Sequence, residues 1–213
     1  MSRFVGRENV RKRLAELEGR PGRTSYAGGK ATIELGDATI VVRPPFGLSH
    51  EADYGSVRLM PLFEALAEDR VVAALLVRLG GYAAGVFEGE RLVASKVGSR
   101  FVKGRHKKGG YSANRFRRRR EEQARALIEE AAHVAVDVFE PWRGRIEFAA
   151  FGGDRSAVAD VLAARSELGW LTDRAVSRFF TVVEPRRKVL ERLSYDLYAA
   201  ELTELDGGAQ STT

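Results

Sequence analysis

VVAALLVRLGGYAAGVFEGERLVASKVG, residues 71–98, decides how this chain folds. Its first nine residues form a short, almost unbroken apolar run, the pattern of a strand buried on both faces at the centre of a sheet. YAAGVFEG and RLVASKVG follow as two more strands, joined by a tight turn at Glu88-Gly89-Glu90. This meander, which SRFV extends past a bend at Gly98, delivers the chain into the loop GRHKKGG at 104–110.

On the N-terminal side, Val10, Leu14 and Leu17 make one apolar face of a helix that Gly19 and Pro21 end. ATIELGDATIVVRPPF alternates apolar and polar residues about Gly36-Asp37 and reads as a β-hairpin stopped by Pro44-Pro45. Residues 47–57 read as loop and 61–69 as a helix. On the C-terminal side, Ser112 is placed to cap a helix in which Phe116, Ala124, Leu127, Ile128, Ala131 and Ala135 recur at three and four residues. RIEFAAFGG is a strand, Asp154 caps a helix to about Arg165, SRFFTVV is a strand, and Pro185 opens a helix to about Leu205. The expected fold is mixed α/β (α+β), a mixed sheet flanked by helices. One domain covers 1–206, with a helix-and-hairpin extension at 1–57, a core at 58–206 and a frayed tail at 207–213.

The composition excludes several classes of chemistry. With no cysteine there is no disulfide, zinc finger or thiol nucleophile. His50, His106 and His133 lie too far apart for metal-ligand spacing, so no metal and no cofactor is expected. The apolar run VVAALLV is far short of a membrane span, and the expected setting is the cytoplasm. The net charge of +6 is unevenly spread: residues 91–120 hold twelve Lys or Arg and no Asp or Glu. Elsewhere 23 basic residues face all 29 acidic ones, so a basic block sits in an acidic body. That is an electrostatic footprint for a polyanion, nucleic acid above all.

Gly109 and Gly110, between a lysine pair and a helix start, suit a phosphate cradle, because glycine lets backbone N–H groups approach a ligand. The loop lacks the Gly-Lys-Ser/Thr ending of a Walker motif and the GxGxxG spacing of a dinucleotide fold. Gly152-Gly153-Asp154 is what a turn before a capped helix requires. Glu88, Glu90, Glu121 and Glu122 read as a turn and a solvated helix face, and Ser112 has no specified His and Asp partners. Among Tyr82, Phe87, Phe101, Tyr111 and Phe116, Tyr111, in the loop, is the one expected to be exposed, where it can stack on a base.

Lys107-Lys108-Gly109-Gly110-Tyr111-Ser112-Ala113-Asn114-Arg115-Phe116, followed by Arg117 to Arg120, resembles the segment of archaeal and eukaryotic class I release factors in which a Gly-Gly-Gln loop leads into a helix beginning Ser-x-x-Arg-Phe. The combination with the preceding strands is more similar still to the actinobacterial and chloroflexal branch of the Vms-like release factors. The similarity is strongest over about 71–140. It implies a release-factor-type catalytic fold and a peptidyl-tRNA hydrolase that enters the peptidyl-transferase centre of the large ribosomal subunit on stalled ribosomes. Gly109 and Gly110 would shape the catalytic loop, with Tyr111 stacking or wedging and Asn114 positioning water. Lys103, Arg105, His106, Lys107, Lys108, Arg115, Arg117, Arg118, Arg119 and Arg120 would grip RNA phosphates. One residue departs from the pattern: Tyr111 stands where the release factors have glutamine, and a phenol cannot both donate and accept as an amide does. Two alternatives therefore stand beside the hydrolase, a non-catalytic ribosome or tRNA-binding rescue factor and a tRNA 3′-end nuclease.

Overall fold

The computed structural model describes residues 2–99 and 111–206, with side chains except at 111–116 and 206. The chain divides into two compact units, Met1–Glu68 with Tyr195–Thr213, and Asp69–Ser194.

The first unit begins with β1 (Ser2–Gly6), α1 (Arg7–Leu14, prolonged by a 3-10 turn at Ala15–Leu17), β2 (Pro21–Ala27), β3 (Lys30–Leu35), β4 (Ala38–Arg43), β5 (Ala52–Ser56) and α2 (Met60–Ala67). The expected hairpin is β3 and β4, with Ile33 opposite Ile40 and Gly36 at φ 59° in the turn. That left-handed conformation is one that glycine adopts without penalty. Two unannounced strands join it, since β2 pairs with β3 and β5 with β2. Residues 47–57, which the sequence presents as loop, thus contain an edge strand. Its residues Ala-Asp-Tyr-Gly-Ser carry no apolar alternation because neither face is deeply buried. Val10 and Leu14 of α1 and Leu62 and Leu66 of α2 pack with Ile33 and Val42 in this unit's core.

The second unit contains β6 (Val71–Arg78), β7 (Gly81–Glu88), β8 (Arg91–Ser99), α3 (Tyr111–Phe139), β9 (Phe148–Gly153), α4 (Arg155–Ala164), α5 (Trp170–Asp173), β10 (Ala175–Phe180) and, as far as Ser194, α6 (Arg187–Leu197). Strand order is β10-β9-β6-β7-β8, so the apolar run is indeed central, and Val72 to Val77 are all buried. Pairing is antiparallel for β6-β7-β8 and parallel for β6-β9 and β9-β10, a mixed sheet as expected. On one face Leu75, Val77, Ala84 and Val86 meet Leu127, Ala131 and Ala135 of α3 and Val158 and Val161 of α4.

Gly152-Gly153-Asp154 is a structural turn. Gly153 has φ 97°, and a Cβ there would lie 2.1 Å from the Val77 carbonyl oxygen. Asp154 Oδ1 then accepts hydrogen bonds from the backbone N–H of Ser156 at 3.0 Å and of Ala157 at 3.3 Å, capping α4. Hydrogen bonds from Ser156 and Ala157 hold the Asp154 carboxyl below the usual carboxylate range.

Two expectations are corrected. Tyr111 is the first residue of α3, so Ser112 sits inside the first turn and does not cap it, and Tyr111 is not a loop residue. The helix extends one step further because nothing in tyrosine bars helical backbone angles. The second concerns the C-terminus: α6 ends at Leu197, and Ala199–Asp206 is a strand, β11. It inserts between β1 and β4, completing the first unit's sheet in the order β1-β11-β4-β3-β2-β5. Ala200 and Leu202 enter the core while Glu201 and Thr203 alternate with them, the two-residue period of a strand.

Candidate nucleic-acid interface

α3 spans 29 residues, about 44 Å at the rise of an α-helix. Leu127, Ala131, Ala132, Val134, Ala135 and Phe139 are buried, yet none of residues 117–126 is. The second half of the helix lies in the core of its unit, and residues 117–126 of the first half are exposed or half-buried. Phe116 and the positions before it belong to that first half by backbone alone.

The expected site residues distribute accordingly. Lys103, Arg105, His106, Lys107, Lys108, Gly109 and Gly110 lie outside the described residues. Tyr111, Asn114 and Arg115 occupy the first turns of α3, with Tyr111 and Asn114 at positions i and i+3. Arg117, Arg118 and Arg119 are exposed and Arg120 is half-buried. Arg117 reaches Glu121 at 3.9 Å and Arg118 reaches Glu122 at 3.5 Å. Such solvated pairs contribute only about 0.2–0.5 kcal/mol, so a polyanion can displace them at little cost. Arg119 and Arg120 have no ion-pair partner among the described residues. Successive helical residues point about 100° apart, so the four arginines surround the helix and form no single stripe.

One buried side chain meets both the end of β8, just before residues 100–110, and the anchored half of α3. Tyr82 of β7 is 3% exposed, and its Oη donates to Glu130 Oε1 of α3 at 2.9 Å. In the β7-β8 ladder Tyr82 lies opposite Gly98, and a Cβ at Gly98 would stand 2.2 Å from Tyr82 Oη. A single ring therefore covers the end of β8 and holds α3. Burial, reinforced by Glu130, pushes the Tyr82 phenol up to about 12, so it remains a hydrogen-bond donor at neutral pH. Sequence reasoning misses this contact, because Tyr82, Gly98 and Glu130 are far apart along the chain and Gly98 reads only as a bend.

Glu88, Glu121 and Glu122 serve as ion-pair partners. Glu88 accepts from Arg91 at 2.9 Å and also binds Arg145. Among the described residues no group of three His, Asp or Glu is placed to hold a metal ion. No described helix is long and apolar enough to cross a membrane. The chemistry on display is cationic, a helix end that can neutralise phosphates.

Comparison with known proteins bears on this arrangement. Residues 70–203 match the family model of the Actinobacteria/chloroflexi VLRF1 release factors. Among solved structures, the chain is similar to an archaeal translation termination factor, aRF1, at 11% identity and a TM-score of 0.41, covering 91% of this chain and 73% of that one. It is also similar to an archaeal protein at 12% identity and a TM-score of 0.41, covering 92% and 74%.

Proposed function

Since the chain belongs to the actinobacterial and chloroflexal VLRF1 release-factor family, we propose that it frees nascent peptide from tRNA on stalled ribosomes or large-subunit complexes in the cytoplasm. The observation that carries the reading is the first half of α3, a basic helix end with no buried residue from Arg117 to Ala126, immediately after the Gly109-Gly110 segment. In the proposed reaction a water oxygen bonds to the ester carbonyl carbon of peptidyl-tRNA. The carbon–oxygen bond to the tRNA ribose breaks, and the ribose oxygen takes the proton the water gives up. Gly109 and Gly110 suit the work because a bare backbone enters a crowded RNA site, and its N–H groups can face the developing oxyanion. Asn114 positions the water, Tyr111 stacks or wedges beside it, and the lysines and arginines from Lys103 to Arg120 hold the tRNA end and ribosomal RNA. Catalysis of this kind rests on positioning and electrostatics and uses no cofactor.

The test is purified protein added to large subunits carrying labelled peptidyl-tRNA, with free peptide, intact tRNA and shortened tRNA resolved separately. Peptide with intact tRNA is the expected result, and Gly110→Ala abolishes it while subunit association persists. Asn114→Ala lowers release at least about tenfold, the effect of losing one positioned contact worth roughly 2–4 kcal/mol. Tyr111→Phe changes it little. A second reading, a non-catalytic rescue factor, is favoured by Tyr111 standing where the release factors have glutamine. Salt-sensitive binding without any release selects that reading, and shortened tRNA selects a nuclease.

A further inference from the structure

The second unit carries a cleft of about 670 Å³ at the end of its sheet where β8 stops. Three segments wall it: the β6-β7 turn at Leu79 and Gly80, the end of β8 at Ser99, and the β10-α6 connection from Val183 to Arg187. Among the described residues, Arg78, Arg186 and Arg187 line it against one acidic residue, Glu184. Arg78 Nη1 donates to the Val182 carbonyl at 2.9 Å, fastening the connection to the sheet. Arg186 meets Glu184 at 2.6 Å and Arg187 meets Glu191 at 2.9 Å, but their side chains are 74% and 68% exposed. Each of these contacts leaves further guanidinium donors for a ligand.

Charge is half of the cleft's character. Leu79 is 60% exposed and Val183 80%, two large apolar side chains open to solvent beside arginines. A bare phosphate needs no such surface. A nucleotide does, since it presents an anion and an apolar ring face together. The volume lies in the roughly 300–1,000 Å³ range that encloses a small-molecule-sized group, enough for one or two nucleotides. A duplex keeps its bases stacked inside and can offer such a cleft only backbone. Unpaired RNA is bound by basic grooves that also supply a surface for splayed bases, Arg planes included. Ser99 leads directly into residues 100–110, which hold five Lys or Arg and no acid, so the cleft opens at the root of the most basic stretch of the chain.

We infer that this cleft receives the unpaired 3′ tail of tRNA, with Arg186 and Arg187 on its phosphates and a base against Leu79 and Val183. The assignment rests on the reading of the protein as a factor that acts on peptidyl-tRNA, and it adds where that substrate is held.

The experiment measures binding of the full chain to free deacylated tRNA, intact or trimmed of its last four nucleotides, over a range of salt. Wild type binds intact tRNA about tenfold more tightly than trimmed. Val183→Asp, at a position too exposed to disturb the fold, removes that preference, and so does the pair Arg186→Ala and Arg187→Ala. The arginine pair also lowers the salt slope for intact tRNA by about 0.7 per lost single-strand phosphate contact. Equal wild-type affinity for the two tRNAs overturns the inference. A tenfold preference that survives in both variants does so too, as does an equal loss of affinity for trimmed and intact tRNA, which marks a general phosphate patch. No ester or ribosome is present, so the outcome is separable from the release assay. Peptide release without tail preference sinks the cleft alone, and tail preference without release sinks the hydrolase reading alone.

Discussion

From Leu127 to Phe139, α3 buries an apolar stripe against the sheet and α4, whereas from Arg117 to Ala126 its residues are exposed or only half-buried and include Arg117 to Arg120. The charges of the first half work against the helix they ride on. Basic groups near a helix N-terminus oppose its dipole, and an Arg four residues before a Glu is the poorer order for an ion pair. A segment this short is marginal as an isolated helix in water and is steadied by its packed continuation. The second half supplies the packing and the first half adds little to it; in the proposed reading, Arg117 to Arg120 serve an RNA partner rather than the fold.

Four substitutions break or sharpen this contrast, in descending order of their effect on stability. Leu127→Ala, in a position 1% exposed, costs about 2–5 kcal/mol in urea unfolding and leaves RNA affinity per folded molecule unchanged. Gly98→Ala forces a methyl into the Tyr82 ring, where Cζ and Cε1 as well as the hydroxyl would lie under 3 Å from it, and costs about 1–3 kcal/mol in the same unfolding measurement. Asp154→Ala uncaps α4, the helix packed on the anchored half of α3, at about 0.5–2 kcal/mol near pH 7. Because the folded carboxyl titrates below its ordinary value, its contribution is present above the usual carboxylate range and is lost as pH falls through the folded value. The gap between wild type and Asp154→Ala therefore closes in acid, below roughly pH 4. Replacing Arg117 to Arg120 with alanine shifts stability by less than about 1 kcal/mol, since only solvated pairs are lost. The same variant flattens the salt dependence of RNA binding by about 0.7 for each single-strand phosphate contact removed. A large drop in its melting temperature, with an unchanged salt slope, would reverse the roles of the two halves.

What could be read from the residues alone follows the physics of burial. β6 is legible because a strand covered on both faces is a continuous apolar run, and Asp154 because capping is local chemistry. β11 is not, since Ala, Glu and Leu are strong helix formers; only its neighbours β1 and β4 turn it into a strand. β5 is an edge strand with little to bury, so it leaves no pattern. At the site, the arginine run is visible as composition, but the division of α3 at Leu127 is not, because Ala124 continues the same helical spacing beyond the core. The Tyr82–Gly98–Glu130 contact and the cleft beside Ser99 are assembled by the sheet from residues far apart in the chain.

The position of β11 between β1 and β4 also sets a timetable for synthesis. Ser2 pairs with Thr203, and its hydroxyl donates to Glu201 at 2.7 Å, across a sequence separation of 199 residues. While the nascent chain is still short of Ala199, β1 has no partner and β4 presents Ile40, Val41 and Val42 along an unpaired edge. Closure over so long a separation is slow compared with zipping the β3-β4 hairpin, and an open edge in the interval invites association with other chains. A copy interrupted just before β11 thus lacks an interior strand of its first sheet, and proteases meet it as an incompletely folded chain.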